Sequence, residues 1–439
     1  MFLKNHIITD TEVSGQLVSL GGTKMEDGRT WGSSQDLMSR TFSISNENIE
    51  LGNLTSLKSF QVTSSHKNRT CSGSSIPRLT NAASCDLEPP ESNTLRVIMY
   101  GGQSVDTGLT SDILVKIEGE VTEDIGNASI DVTRYPSAHK HFTQFEVPAG
   151  WPDGSHLVQL GEIPEGRTGS RLNFLKKIGS SDLLVSIGGH SKPDYHTDYH
   201  HPESSISVLL VPEMRWWKLP NHDCFKRSFH SQTTNSAGNV YIMGGMSMRN
   251  GKWATIHALT QVVCVQIKDD FTYSLAIINI IPEIEDPPYI TNFSYCASDN
   301  SIFIYSGFCY PDYSHQEENL YKFQPPIASR NKLPKFSDCL FKIDLDTEKL
   351  SLSANLNESG CYNGSIVCIS SNNRQFELMI HADPKIILYS DRILESPKCD
   401  LPEAFGSCSL GIVEKNRDTY ECATPVSMNV IHLKCDKSL

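Results

Sequence analysis

"GNVYIMGGMSM", Gly238 to Met248, is the stretch that decides the fold. Four apolar residues, Val240 to Met243, run straight into Gly244-Gly245. One such ending would mean little, but it recurs along the chain. "GQLVSLGGTK" stands before Gly21-Gly22, "LRVIMYGGQS" before Gly101-Gly102, and "DLLVSIGGHS" before Gly188-Gly189. "SIFIYSGFCY" carries Ser306-Gly307 in place of the pair, and "FELMIHADPK", from Phe376, is a degenerate sixth copy without the glycines. Numbered in chain order, these are units one to six.

Each copy is followed by a variable polar loop and a second apolar run, such as "SDILVKIEGE" after Gly102, "TQVVCVQIKDD" after Gly245 and "DCLFKIDLDTEKLSL" after Gly307. Strand, glycine pair, loop, strand and turn make a β-meander. No long apolar run at the 3.6-residue helical period is present. Units too small to bury their own faces stack radially and share a core. The sequence therefore predicts an all-β fold, a six-bladed propeller forming one domain over residues 1–439. The glycine-ended strand is expected to be the innermost of each blade, because glycine permits a tight turn and close backbone approach near the axis. Inserted loops are expected near 66–94, 190–205 and 310–337.

Composition narrows the function. Thirty-eight per cent of the 439 residues are hydrophobic, enough for a large core, and the net charge is -13. An acidic chain lacks the positive field of an autonomous nucleic-acid binder. The start, "MFLKNHIITDTEVSG", has no apolar core of signal-peptide length, and "SLAIINIIPEI" is too short to span a bilayer. A soluble protein not secreted by the ordinary route is expected, with no membrane contact. Thirteen cysteines are scattered with no Cys-x-x-Cys pair, so buried thiols are expected instead of a structural zinc module. Six Asn-x-Ser/Thr triplets, at Asn53, Asn68, Asn127, Asn292, Asn357 and Asn363, would suit a glycosylated protein. The chain is rich in Asn, Ser and Thr, and the triplets read as accidental.

Candidate chemistry is sparse. "DYHTDYHHPE" gathers His196, His200 and His201 with Asp194 and Asp198, good metal-ligand types. Pro193 and Pro202 place them on a loop that fixes no geometry. Ser228 and His230 of "SFHS" lack a nucleophile elbow and read as part of a blade strand, His230 packing or bonding toward the next blade's loop. Glu283, Glu285 and Asp286 lie in a proline-bounded acidic loop, not a converging metal core. The glycine pairs are not followed by helices, so no phosphate cradle is supported. No catalytic residue, metal or cofactor is expected.

Apolar strand, Gly-Gly, loop, strand and then Trp217-Lys218-Leu219-Pro220 resembles the kelch motif. "GQLVSLGG" near the N-terminus, "IPRLTNAASC" from Ile76, "VIMYGGQSVDTGLTSDILV" from Val97, "PEGRTGS" from Pro164 and "KRSFHSQTTNSAGNVYIMGGMS" from Lys226 resemble, in order, the recombination-activating protein 2 family. "SMNVIHLKC", ending at Cys435, looks like its closing strand, completing a blade with N-terminal residues. The resemblance covers nearly the whole chain and is most specific in units two to four. It implies a nuclear, non-catalytic accessory subunit that docks onto a DDE-type recombinase or transposase, two copies of each in a heterotetramer. DNA would be contacted mainly within the complex. Lys24, Arg29 and Arg40, in or near the loop after Gly22, are the basic positions carried across for DNA flanking the element ends. The zinc-binding plant-homeodomain finger of vertebrate members has no counterpart in these residues, so histone reading is not implied. Two other readings of the same repeats are a generic kelch adaptor and a secreted propeller enzyme.

Overall fold

In a computed structural model, described residues run in segments from Phe2 to Tyr389; the longest stretches outside them are 46–56, 138–158, 311–334 and 390–439. Side-chain environments are described from Pro77 onward. The architecture is all-β, with four blades arranged as a β-propeller, formed by units two to five. Among the described residues the one helical element is a 3-10 turn, Asp223–Phe225, and no helix is long and apolar enough to cross a membrane.

Each blade is an antiparallel meander counted outward from the axis. Blade two is Ala83–Asp86, Thr94–Tyr100, Leu114–Glu120 and Ile130–Tyr135. Blade three is Arg171–Ile178, Ser181–Ile187, Ile206–Val211 and Arg215–Leu219. Blade four is Ser231–Thr234, Asn239–Met243, Gln261–Ile267 and Tyr273–Asn279. Blade five is Ser294–Ala297, Ser301–Tyr305, Cys339–Asp344 and Lys349–Asn355. First strands neighbour first strands in chain order around the axis, ending with Ser294–Ala297 beside Ser365–Cys368.

The glycine-ended strand is therefore second from the axis, not innermost as its apolar sequence suggested. The reason is packing. A second strand is sandwiched between two neighbouring blades, so both of its faces are buried; all of Ser181–Ile187 is buried. The first strand lines the axis and can be polar, as in "SQTT" of blade four. Alternation assigns each side chain to one junction. Leu184 packs back with Ile98, Tyr100 and Trp216 at the junction of blades two and three. Val185 and Ile187 pack forward with Val240 and Ile242 of blade four. Tyr241 and Met243 point on to Ile302 and Ile304 of blade five.

The segment from His66, read as an inserted loop, holds strand Ala83–Asp86, the first strand of blade two. The expected insertion at 190–205 is described only in part, and 311–334 lies outside the described residues. Two further four-stranded antiparallel sheets are present. One joins Phe2–Ile8, Glu12–Glu26, Thr30–Ser45 and Lys67–Arg69. The other joins Ser365–Cys368, Leu378–Ala382 and Lys385–Tyr389 to Leu57–Phe60 from far earlier in the chain. "SMNVIHLKC" lies outside the described residues.

Candidate docking face

The glycine pairs, the loops that follow them and the links entering each blade share one end of the propeller. The junctions there repeat. Gly101 and Gly102 have φ of 73° and 88°, and Gly188 and Gly189 have φ of 61° and 89°. The second glycine of each pair donates its N–H across the junction: Gly102 to the Arg167 carbonyl at 2.7 Å, and Gly189 to the Arg227 carbonyl at 2.8 Å. The first glycine leaves room for that same carbonyl. A Cβ on Gly101 would lie 2.4 Å from the Arg167 oxygen, and one on Gly188 would lie 2.3 Å from that of Arg227. Positive φ and absent space both demand glycine here.

The two arginines also bind their own blades. Arg167 Nη1 donates to the Gly188 carbonyl at 2.9 Å and to Ser205 Oγ at 2.6 Å. Arg227 Nη1 donates to the Gly244 carbonyl at 3.1 Å, and its Nε to the Cys224 carbonyl at 2.7 Å. Each arginine thus joins the preceding blade through its backbone and its own blade through its side chain. Both are almost fully buried, 3% and 4% exposed, and burial lowers the Arg227 pKa to about 10, leaving it charged at neutral pH. Closer to the axis, the Gly169 N–H donates to the Asn81 carbonyl at 3.3 Å and the Phe229 N–H to the Gly169 carbonyl at 2.7 Å. All three residues have positive φ, 53°, 68° and 54°. The result is a chain of backbone hydrogen bonds linking the entries of blades two, three and four.

Ser228 and His190 meet at the junction of blades three and four. His190 Nδ1 and Ser228 Oγ share a 2.7 Å hydrogen bond, and both residues have no exposed surface. Burial lowers the His190 pKa to about 4, so the ring is neutral. His230, which the sequence set beside Ser228, is buried instead against Gln232, with its pKa held far below the usual value by burial and by Arg227 and Arg171. This solvent-inaccessible hydroxyl–imidazole pair ties two blades together.

At the preceding junction, between blades two and three, Trp216 is fully buried and donates Nε1–H to Gln159 Oε1 at 2.9 Å. Gln159 Nε2 in turn donates to the carbonyls of Asp112 and Tyr135, at 2.7 and 2.8 Å. Trp217, the tryptophan of the motif, is half-buried and stacks on Phe271 with ring centroids 4.8 Å apart. On the loop face of blade two, a cavity of about 520 Å³ is lined by Arg78, Arg134, Thr107, Thr110, Leu109 and Ile113, among others.

Of the basic positions expected to meet DNA, Lys24 and Arg40 fall on the first sheet. Gly21 and Gly22 lie inside strand Glu12–Glu26, at a register irregularity between Leu20 and Gly22. Lys24 pairs with Gly32, whereas Arg40 pairs with Leu17, seven positions back along the same strand. At ~3.3 Å per residue that is roughly 23 Å, so Lys24 and Arg40 mark two separate levels of one hairpin. Arg29 and Gly307 lie outside the described residues. So do His200, His201, Asp194, Asp198, Glu285 and Asp286; His196 and Glu283 are described, and Glu283 pairs with Lys349 at 2.9 Å. Among the described residues, no group of three or more His, Cys, Asp or Glu side chains is arranged to hold a metal.

Arg167, Arg227, Gln159 and Trp216 were not singled out in the sequence. The available signal was an arginine opening both "RTGS" and "RSFH", just before the first strands of blades three and four. No protein-family model matches the chain. No curated protein matches it either.

Proposed function

We propose that this chain is a non-catalytic docking propeller, the accessory subunit of a DDE-type recombinase or transposase. The observation that carries the docking part is the repeated junction. Two successive blade boundaries use the same glycine–arginine hydrogen bonds, which hold the loops of one face on a stiff base. Loops fixed on a rigid scaffold are where binding residues collect. The recombinase part rests on the sequence resemblance of units one to four. The net charge of -13 suits a basic partner, since complementary charge speeds and orients encounter.

In this reading the ring has six blades. The pairing of Leu57–Phe60 onto Lys385–Tyr389 supports it, because a strand from early in the chain finishing a late sheet is how a propeller closes. Lys24, Arg29 and Arg40 contact phosphates only once the catalytic subunit has positioned DNA beside the first sheet. The complex acts in the nucleus, with two copies of each subunit.

The test is co-purification with a DDE recombinase, then DNA binding by the complex and by the chain alone at two salt concentrations. The complex should bind DNA tightly, and reversing Lys24, Arg29 and Arg40 together should flatten its salt dependence. The chain alone should bind feebly. Tight, sequence-selective DNA binding by the isolated chain, or no capture of the recombinase, would defeat the proposal. A generic protein-interaction adaptor shares the fold and the rigid loop face; capture of a non-recombinase partner at that face would favour it.

A further inference from the structure

The four blades share a hub but differ at the rim. In three of them a short strand from the link entering the blade pairs in parallel with the outermost strand. Ser72–Gly73 covers Ile130–Tyr135, Leu160–Gly161 covers Arg215–Leu219, and Ile281–Pro282 covers Lys349–Asn355. These covers satisfy rim backbone groups. Glu162 N–H donates to the Trp216 carbonyl at 3.1 Å, and Glu283 N–H to the Leu350 carbonyl at 2.8 Å.

Blade four has no such cover among the described residues; its sheet ends at Tyr273–Asn279. The link entering it is used otherwise. It forms the 3-10 turn Asp223–Phe225, and its Pro220 carbonyl accepts from Tyr273 Oη at 2.9 Å. Accessibility agrees with an open rim: Ser274, Ala276, Ile277 and Asn279 are exposed, Ile277 by 45%. An open edge offers a row of backbone donors and acceptors to another strand, and proteins usually blunt it with charge or proline. The covered outer strands contain charges: Asp131 and Arg134, Arg215 and Lys218, and Lys349. "YSLAIIN", the uncovered one, contains neither charge nor proline.

We propose that Tyr273–Asn279 is a docking edge for an extended segment of a partner protein, which adds a parallel fifth strand to blade four. Sister blades set the direction, since every cover runs parallel to the strand it protects. Main-chain hydrogen bonds supply affinity, and alternate side chains supply selectivity. One side of the segment is apolar, to cover Ile277. Its N-terminal end is basic, because parallel pairing brings that end to the exposed Asp270 carboxylate. A second copy of this chain is disfavoured as the occupant by its net charge of -13. The inference rests on the docking reading but not on which partner is involved.

The probe is a synthetic acetylated peptide, RVTVTVS, titrated into the full-length chain. Saturable binding is expected, with slowed hydrogen exchange confined to the amides of 274–279. N-methylation of alternate peptide amides, which deletes donors and keeps side chains, should weaken binding by about tenfold or more. Ile277→Lys should weaken it similarly while leaving thermal unfolding unchanged. No saturable binding, or equal binding of the N-methylated peptide, overturns the proposal. So does a concentration-dependent dimer that Ile277→Lys abolishes, because the edge would then pair copies. Peptide binding without recombinase capture would sink only the partner's identity. Recombinase capture with no peptide binding would sink only the edge.

Discussion

Blades three and four are built alike at the axis and differently at the rim. Both enter through a buried arginine that bonds the first glycine carbonyl of its own blade. Both pass through a positive-φ residue, Gly169 and Phe229, joined by a hydrogen bond. At the rim, blade three carries two charges and a covering strand, and blade four carries neither among the described residues. The contrast has a physical origin. Hub positions touch two blades at once, so any change is felt at both junctions. Rim positions touch one neighbour and face water, so they are free to vary. Function that needs a distinctive surface is easiest to place where geometry does not already dictate the residue.

The strongest way to break the comparison is at the hub. Gly189→Val meets positive φ and a Cβ only 2.9 Å from the Ser170 Cβ; it should cost about 4 kcal/mol or more, read as loss of cooperative unfolding in denaturant. Arg227→Met leaves the buried Gly244 carbonyl and the half-buried Cys224 carbonyl without their donor. The expected loss is about 3 kcal/mol in the same measurement.

Acid should act on the same hub. His190 is neutral in the fold, with a pKa of about 4, and an unfolded histidine titrates near ~6.5. Between those values the unfolded chain binds the proton and the fold does not, so stability falls as pH drops from about 6.5 to about 4. His190 alone should contribute about 3 kcal/mol across that window, and buried His230 acts in the same direction. His190→Gln should flatten the profile of stability against pH.

Rim changes are expected to be smaller and local. Gly161→Ala places a Cβ 2.2 Å from the Trp216 carbonyl oxygen, at φ of 79°. It should dislodge the cover of blade three for about 2 kcal/mol, and hydrogen exchange should rise along Arg215–Leu219 while blade four is unaffected. Smallest of all, Ile277→Lys on the open rim should shift stability by less than about 0.5 kcal/mol. A large loss there would mean that Ile277 is part of a core.

Much of the site's logic was visible in the letters, but not its partners in space. The glycine pairs announced close backbone approach, and the junction distances at Gly101 and Gly188 bear this out. What approaches them, the arginine carbonyl of the following blade, lies some 40 to 66 residues onward and obeys no local period. Ser228 was paired by proximity in sequence with His230, yet its hydrogen bond goes to His190 in the preceding blade. The motif's Trp217 drew notice, whereas Trp216 beside it is the one sealed between blades.

By itself the sequence determined that this protein is a series of short β-units too small to stand alone, punctuated by glycine pairs. Apolar runs and turn residues act over a few positions, so they can be read locally. Tertiary structure alone decided that the apolar strand sits second from the axis, that buried arginines fasten the blades, and that one outer strand has no cover among the described residues. Those outcomes depend on which surfaces meet when blades stack, and packing between distant segments leaves no periodic trace along the chain.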